Sequence, residues 1–113
     1  MARAYLTGKC RLAYRTGVVT VFDALAAPAR RAILDELRDR DGQTLYELCV
    51  RLTMKHRLDL TRQAVSQHLA VLEAVGLITT ERKGRYKLHH LDLTPLAEVL
   101  ARWTRPTRRG ARR

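Results

Sequence analysis

Aromatic residues, cysteines and long apolar runs are scarce in this chain of 113 residues. Because aromatic residues make up only 5% of the sequence, the core must be built from leucine, valine, isoleucine and alanine. The two cysteines, Cys10 and Cys49, do not imply a disulfide framework. No apolar run approaches the length that crosses a bilayer, and the basic N-terminus lacks the apolar segment of a signal peptide. We therefore predict a single-domain protein of the cytoplasm with no membrane partner.

Known catalytic motifs are absent as well. None of the six glycines forms a Gly-x-Gly phosphate loop or a Gly-x-Ser-x-Gly elbow. No His-Glu-x-x-His segment occurs, and no cysteine–histidine pair has an evident orienting group. The sequence therefore predicts neither an enzyme nor a cofactor.

Positive charge, by contrast, is plentiful and is concentrated at the two ends of the chain. The formal net charge is +11. Residues 1–17 carry four basic residues and no acid, and residues 105–113 carry five arginines, whereas residues 18–104 hold the other 13 basic residues and all 11 acids. We therefore predict a basic N-terminal arm, a folded domain and an Arg-rich C-terminal tail with these boundaries. Such ends attract polyanions without regard to sequence, although purely solubilising ends would have the same composition.

Apolar spacing and capping residues predict five helices in the folded domain. The first helix stops near Pro28, which then occupies the first turn of the second helix, where its missing N–H costs little. Thr44 opens the third helix as part of a Thr-x-x-Glu capping box. Thr61 caps the fourth helix, and Gly76 ends it in a left-handed conformation.

A β-hairpin and a last helix complete the predicted domain. Threonines and alternating apolar residues favour two strands on either side of a turn at Lys83-Gly84. Thr94 is predicted to cap the last helix, with Pro95 at its first position. The predicted fold class is therefore mainly α with a two-stranded β-hairpin.

Two adjacent helices followed by a basic hairpin form a winged helix-turn-helix. A helix fits the major groove of B-DNA, where its first turns reach base edges, and a cationic hairpin suits phosphates or the minor groove. The fourth helix buries Val65, Leu69 and Leu72 and presents glutamine, serine and arginine on its other face. The predicted contacts with double-stranded DNA are Thr61, Arg62, Gln63, Ser66, Gln67 and His68 on the helix and Arg82, Lys83, Arg85 and Lys87 on the hairpin.

Several alternatives stay open for this surface. The polar face of the helix can be merely solvated, and His68 can be a hydrogen-bonded histidine at the edge of the core instead of a phosphate contact. A winged-helix module that binds protein or RNA would need no base-reading face, and its hairpin would usually lack the four cations. The eight residues predicted between the third and fourth helices include Lys55, His56 and Arg57, which could touch the DNA backbone.

The segments VFDALAAPARRAILDEL, TLYELCVRLT, RQAVSQHLAVLEAVGLI and RKGRYKLHHL resemble the ArsR/SmtB family of bacterial winged-helix regulators over residues 18–103. The resemblance implies a homodimeric, nucleoid-associated transcriptional repressor that binds a palindromic operator and is released by a signal. It also implies a dimer interface formed by the first and last helices, here Val21, Phe22, Leu25, Leu96, Val99, Leu100 and Trp103. Within the last helix, we expect Leu96 and Leu100 to face their own subunit and Trp103 to cross the interface.

The metal sites of that family are not matched. The arsenic-sensing branch has Cys-x-Cys in the third helix, whereas here Cys49 is followed by Arg51, which cannot ligate a metal. The zinc-sensing branch uses histidines on the last helix, which has none here. Cys10, Cys49 and His56 could meet only if the arm folded across a partner subunit. We therefore predict no metal and interpret Cys49 as a small buried apolar residue, while the effector and a Cys10–Cys49 redox pair stay open.

Overall fold

A computed structural model describes residues 20–104 of the chain. The predicted arm (1–17), Cys10 and the predicted Arg-rich tail (105–113) lie outside the described residues. Within them, helices and strands follow in the predicted order, and the mainly helical fold with a two-stranded antiparallel hairpin is confirmed. The elements are α1 (Val21–Leu25), α2 (Pro28–Asp39), α3 (Leu45–His56), α4 (Arg62–Ala74), β1 (Ile78–Lys83), β2 (Tyr86–Leu91) and α5 (Thr94–Thr104).

Helices α3 and α4 begin where their capping residues predict. The Glu47 N–H donates to Thr44 Oγ1 at 3.2 Å, and the Thr44 N–H donates to Glu47 Oε1 at 2.9 Å. Thr61 Oγ1 accepts a backbone N–H at 3.0 Å at the start of α4. A further capping box, at Thr20 and Asp23, opens α1 and was not predicted. Each of these bonds satisfies an N–H that no helical carbonyl reaches.

The predicted linker between α3 and α4 is too long. Helix α3 continues to His56 and ends at Arg57, which takes a left-handed conformation with φ of 55°. The connection therefore spans only residues 57–61, including the capping Thr61. The extra helical turn removes Lys55 and His56 from the loop and places them beside α2.

Two end positions also differ from the prediction. Lys83 pairs with Tyr86 in the strand register, so the hairpin turns at Gly84-Arg85, one residue later than predicted. Helix α5 begins at Thr94, which is therefore helical and not the cap, and the Asp92 carboxylate accepts the Thr94 N–H at 3.0 Å.

The core lies between α2, α3, α4 and the start of β1. Its fully buried apolar side chains are Ala24, Ile33, Leu37, Leu48, Leu52, Val65, Leu72, Leu77 and Ile78. Leucine and isoleucine dominate this set, as the scarcity of aromatic residues predicted. Helix α5 contributes no fully buried side chain among the described residues and packs on the core through Leu96. None of the described helices is long and apolar enough to cross a membrane.

Candidate nucleic-acid interface

Helix α4 divides into a buried face and an exposed face. Val65, Leu69 and Leu72 pack into the core, as the apolar spacing predicted. The side chains predicted to read bases lie on the opposite face, where Thr61, Arg62, Gln63 and Ser66 are exposed and Gln67 is half-buried. The first two turns of α4 therefore carry the uncharged polar and basic side chains of this face, whereas the last turn exposes Glu73.

The hairpin, called the wing below, carries cations without compensating carboxylates. Arg82 lies directly opposite Lys87 in the antiparallel register, and both are exposed. Like charges at directly opposed positions destabilise a hairpin. Among residues 20–104, no carboxylate lies within ion-pair distance of Arg82, Lys83, Arg85 or Lys87. An external polyanion would relieve this repulsion.

A groove separates the polar face of α4 from the wing. Its volume is about 980 Å³, and its walls include Arg62 and Ser66 of α4, Thr44 at the start of α3, and Arg85 and Lys87 of the wing. The N-terminal end of α3 adds the positive end of a helix dipole to this wall. Glu47 of α3 and Glu73 of α4 also line the groove, whereas its cations lie on the first turn of α4 and on the wing.

The base of the wing is fastened to the loop between α2 and α3. Buried His89 donates its backbone N–H to the Gln43 carbonyl at 2.8 Å. His90 Nδ1 lies 3.0 Å from Asp41 Oδ2, and His90 Nε2 lies 2.8 Å from Glu81 Oε1. Hydrogen bonds to these two carboxylates raise the pKa of His90, because both ring nitrogens must carry protons to donate. The direction in which the wing projects is thus set by contacts that the sequence analysis missed.

His68 lies half-buried beside Arg30, at 3.2 Å between His68 Nδ1 and Arg30 Nη1. Burial and the neighbouring guanidinium lower the pKa of His68. This geometry matches the alternative of a hydrogen-bonded histidine at the edge of the core. A contact between His68 and a phosphate stays a prediction.

Lys55 and His56 lie on α3 and not in the linker before α4, where the sequence had placed them as possible contacts with the DNA backbone. Their side-chain nitrogens lie 3.0 and 3.4 Å from Glu36 Oε1, and Arg51 Nε lies 3.7 Å from Glu36 Oε2. Burial by itself would raise the pKa of Glu36, but hydrogen bonds from Lys55, Gln43 and His56 outweigh burial and lower it. These side chains therefore join α3 to α2. The sequence feature that could have indicated this cluster is Glu36, a glutamate within the apolar pattern of α2.

The residues predicted to form a dimer interface divide into two groups. Val21, Leu25, Leu96 and Val99 are partly buried within their own chain. Phe22, Leu100 and Trp103 are exposed by 55%, 57% and 68%, and these three are called the apolar surface below. The expectation that Leu100 faces its own subunit is wrong, because α5 touches the core only with its N-terminal part, through Leu96.

Cys49 is half-buried against the core, on the apolar stripe of α3, as predicted. Burial raises the pKa of its thiol, which disfavours the thiolate form that binds metals. Within residues 20–104, no group of three or more His, Cys, Asp or Glu side chains could hold a metal ion.

Known proteins similar to this chain share the same elements. A family model described as a helix-turn-helix domain matches residues 25–81, which include α2, α3 and α4. An uncharacterized HTH-type transcriptional regulator of Bacillus subtilis, YuzN, is 48% identical over 83 residues, covering 74% of this chain and 90% of that protein. The HTH-type transcriptional repressor SmtB of Mycobacterium tuberculosis is 39% identical over 77 residues, covering 68% of this chain and 52% of that protein.

Solved structures agree with these relatives. An ArsR-like transcriptional regulator from Rhodococcus sp. RHA1 has a TM-score of 0.59 at 30% identity, covering 73% of this chain and 69% of that one. HlyU from Vibrio cholerae has a TM-score of 0.56 at 32% identity, covering 76% of this chain and 88% of that one. The relatives are regulators and not enzymes, in agreement with the missing catalytic motifs.

Proposed function

Because the chain belongs to the ArsR/SmtB family of helix-turn-helix transcriptional regulators, we propose that it is a homodimeric repressor that binds an inverted repeat in double-stranded DNA. It acts in the bacterial cytoplasm, on the nucleoid, and an unidentified signal releases it. The observation that carries the proposal is the pairing of an exposed polar helix face with an uncompensated cationic wing across one groove.

The proposed contacts separate into base readers and phosphate binders. The first turns of α4 enter the major groove, where arginine can pair with guanine and glutamine with adenine through two hydrogen bonds each. Arg62, Gln63, Ser66 and Gln67 are the readers. Thr61, His68 and the wing cations Arg82, Lys83, Arg85 and Lys87 meet the backbone.

The apolar surface supports the dimeric state. Phe22 on α1 and Leu100 and Trp103 on α5 leave large side chains in water in a single chain. In a two-fold dimer, each protomer covers the same surface of the other. The two recognition helices then face major grooves about one helical turn, roughly 10 bp, apart.

The experiment is a selection from a random duplex library at near-physiological salt, followed by footprinting. We expect recovery of an inverted repeat with half-sites about 10 bp apart. Recovery of RNA or a protein partner in parallel captures, with no preferred duplex, would refute the proposal and favour a winged-helix module of another kind.

Matched variants then test the division of labour. Gln67→Ala should cost about 1–3 kcal/mol on the selected duplex and little on random DNA. Lys83→Ala should weaken binding to both and lower the salt slope by about one unit, because one fewer phosphate is neutralised. If Gln67→Ala is neutral on every sequence while Lys83→Ala changes the preferred one, the wing is the reader.

A further inference from the structure

Helix α1 has only five residues, too few to be stable alone, and its position depends on two arginines of α2. Arg30 Nε donates to the Ala24 carbonyl at 2.8 Å, and Arg30 Nη2 donates to the Asp23 carbonyl at 3.1 Å. Arg31 Nη1 donates to the Leu25 carbonyl at 2.6 Å. The Ala24 and Leu25 carbonyls at the end of α1 thus accept hydrogen bonds from α2, and the Asp23 carbonyl accepts one from Arg30 beside that of the Ala26 N–H at 3.1 Å.

Arg30 alone of these two arginines also reaches the recognition helix. Its Nη1 lies 3.2 Å from His68 Nδ1, in the second turn of α4. A guanidinium can only donate, so His68 Nδ1 is the unprotonated acceptor and the ring proton is on Nε2. The planar guanidinium holds its donors in a fixed fork. One rigid group therefore joins the C-terminal end of α1 to the residue that follows Gln67.

We propose that Arg30 is a positioning residue that couples the placement of α1 to the orientation of the recognition helix. The proposal rests on the proposed function, because α1 carries Phe22 of the apolar surface and α4 carries the proposed base readers. When α1 shifts at the dimer interface, its carbonyls move relative to the fork. Arg30 then either keeps its hydrogen bonds to α1 and pulls the His68 ring with it, or keeps its hydrogen bond to His68 and loses those to α1.

The charge state of His68 is consistent with this link. Burial and the neighbouring Arg30 lower the pKa of His68, so its ring is neutral at neutral pH and can accept the hydrogen bond. Arg30 is the charged group that faces this ring among the described residues.

Arg31 provides a matched control, because it also binds an α1 carbonyl but, within the described part of the chain, forms no hydrogen bond with α4. The test compares Arg30→Ala with Arg31→Ala in the full-length protein, after circular dichroism has shown that both are folded. We expect Arg30→Ala to weaken binding to the selected duplex about threefold to tenfold more than Arg31→Ala, which is the size of a coupling carried by a single packed contact. Binding to random DNA should be equal for the two variants.

Two readouts separate coupling from a merely structural role. The coupling between DNA binding and dimerisation is reciprocal, so the selected duplex should increase the dimer association constant of the wild-type protein. We expect this increase to be smaller in Arg30→Ala and unchanged in Arg31→Ala. A double-mutant cycle is read on the ratio between affinity for the selected duplex and affinity for random DNA, because a lost phosphate contact of His68 weakens binding to both. In this ratio, His68→Leu should add little to Arg30→Ala, since either change breaks the same contact. If Arg30→Ala does not fold, Arg30→Lys replaces it, since an ammonium on a flexible stem cannot hold three acceptors in one plane.

Distinct outcomes overturn distinct claims. If the wild-type protein selects a duplex but the two arginine variants bind it equally, or if Arg30 and His68 effects simply add, the coupling is refuted and the repressor proposal stands. Selection of no duplex by the wild-type protein would refute both.

Discussion

Replacement of Leu100 by aspartate separates folding from dimerisation. Leu100 is 57% exposed in the single chain and lies on α5, next to Trp103 on the same face. An aspartate at this position therefore keeps its carboxylate in water while the chain is monomeric. We expect the monomer of Leu100→Asp to remain folded, with a change in unfolding free energy within about 0.5 kcal/mol, as for other surface substitutions.

The same change should strongly weaken the proposed dimer. Burying a whole leucine side chain contributes about 1.5–3 kcal/mol, so covering the exposed part of Leu100 contributes roughly 1 kcal/mol per protomer. A two-fold interface loses this contribution twice, about 2 kcal/mol in all. Desolvating the two carboxylates adds at least about 2 kcal/mol. The sum of roughly 4 kcal/mol corresponds to about a 1,000-fold weaker association.

Sedimentation equilibrium over a range of protein concentrations measures this association, and denaturant unfolding measures the fold. Met54→Asp is the matched control, because Met54 is an apolar side chain exposed by 73% on α3, outside the apolar surface. We expect Met54→Asp to dimerise like the wild-type protein. A folded Leu100→Asp variant that dimerises with the wild-type association constant would show that α5 is not the interface. Dissociation of Met54→Asp alone would move the interface to α3.

Three further predictions concern stability and metal binding. His90 has a raised pKa, so its contribution to stability is present below about pH 6.5 and is lost as the pH rises through the folded-state pKa. Denaturant unfolding should therefore show an unfolding free energy that falls less over this pH range in His90→Gln than in the wild-type protein. Leu48 is fully buried, so Leu48→Ala should cost about 2–5 kcal/mol in unfolding free energy, whereas Val50→Ala, on the exposed side of α3, should cost much less. Calorimetry with Zn²⁺ should detect no tight site, and a stoichiometric submicromolar site that is lost in Cys49→Ser would contradict the metal prediction.

Much of the fold was determined by interactions between residues close in the sequence. Thr44 caps α3 and Thr61 caps α4 as predicted, because a capping hydroxyl bonds a backbone N–H only a few residues away. Gly76, two residues after the end of α4, has a positive φ of 84°, and a left-handed conformation was predicted there. The polar face of α4 is likewise determined locally, since its buried and exposed positions follow from the helical period alone.

Only the tertiary structure decided which charged residues pair with each other. The linker prediction failed because Lys55 and His56 have the same polar signature in a solvated loop as in a helix that packs against buried Glu36. Arg30 and His68 are separated by 38 residues, and His90 and Asp41 by 49, so no spacing rule connects them. Periodicity and caps specify where helices begin and which face is apolar, whereas the partners of a charged side chain depend on how those helices pack against one another.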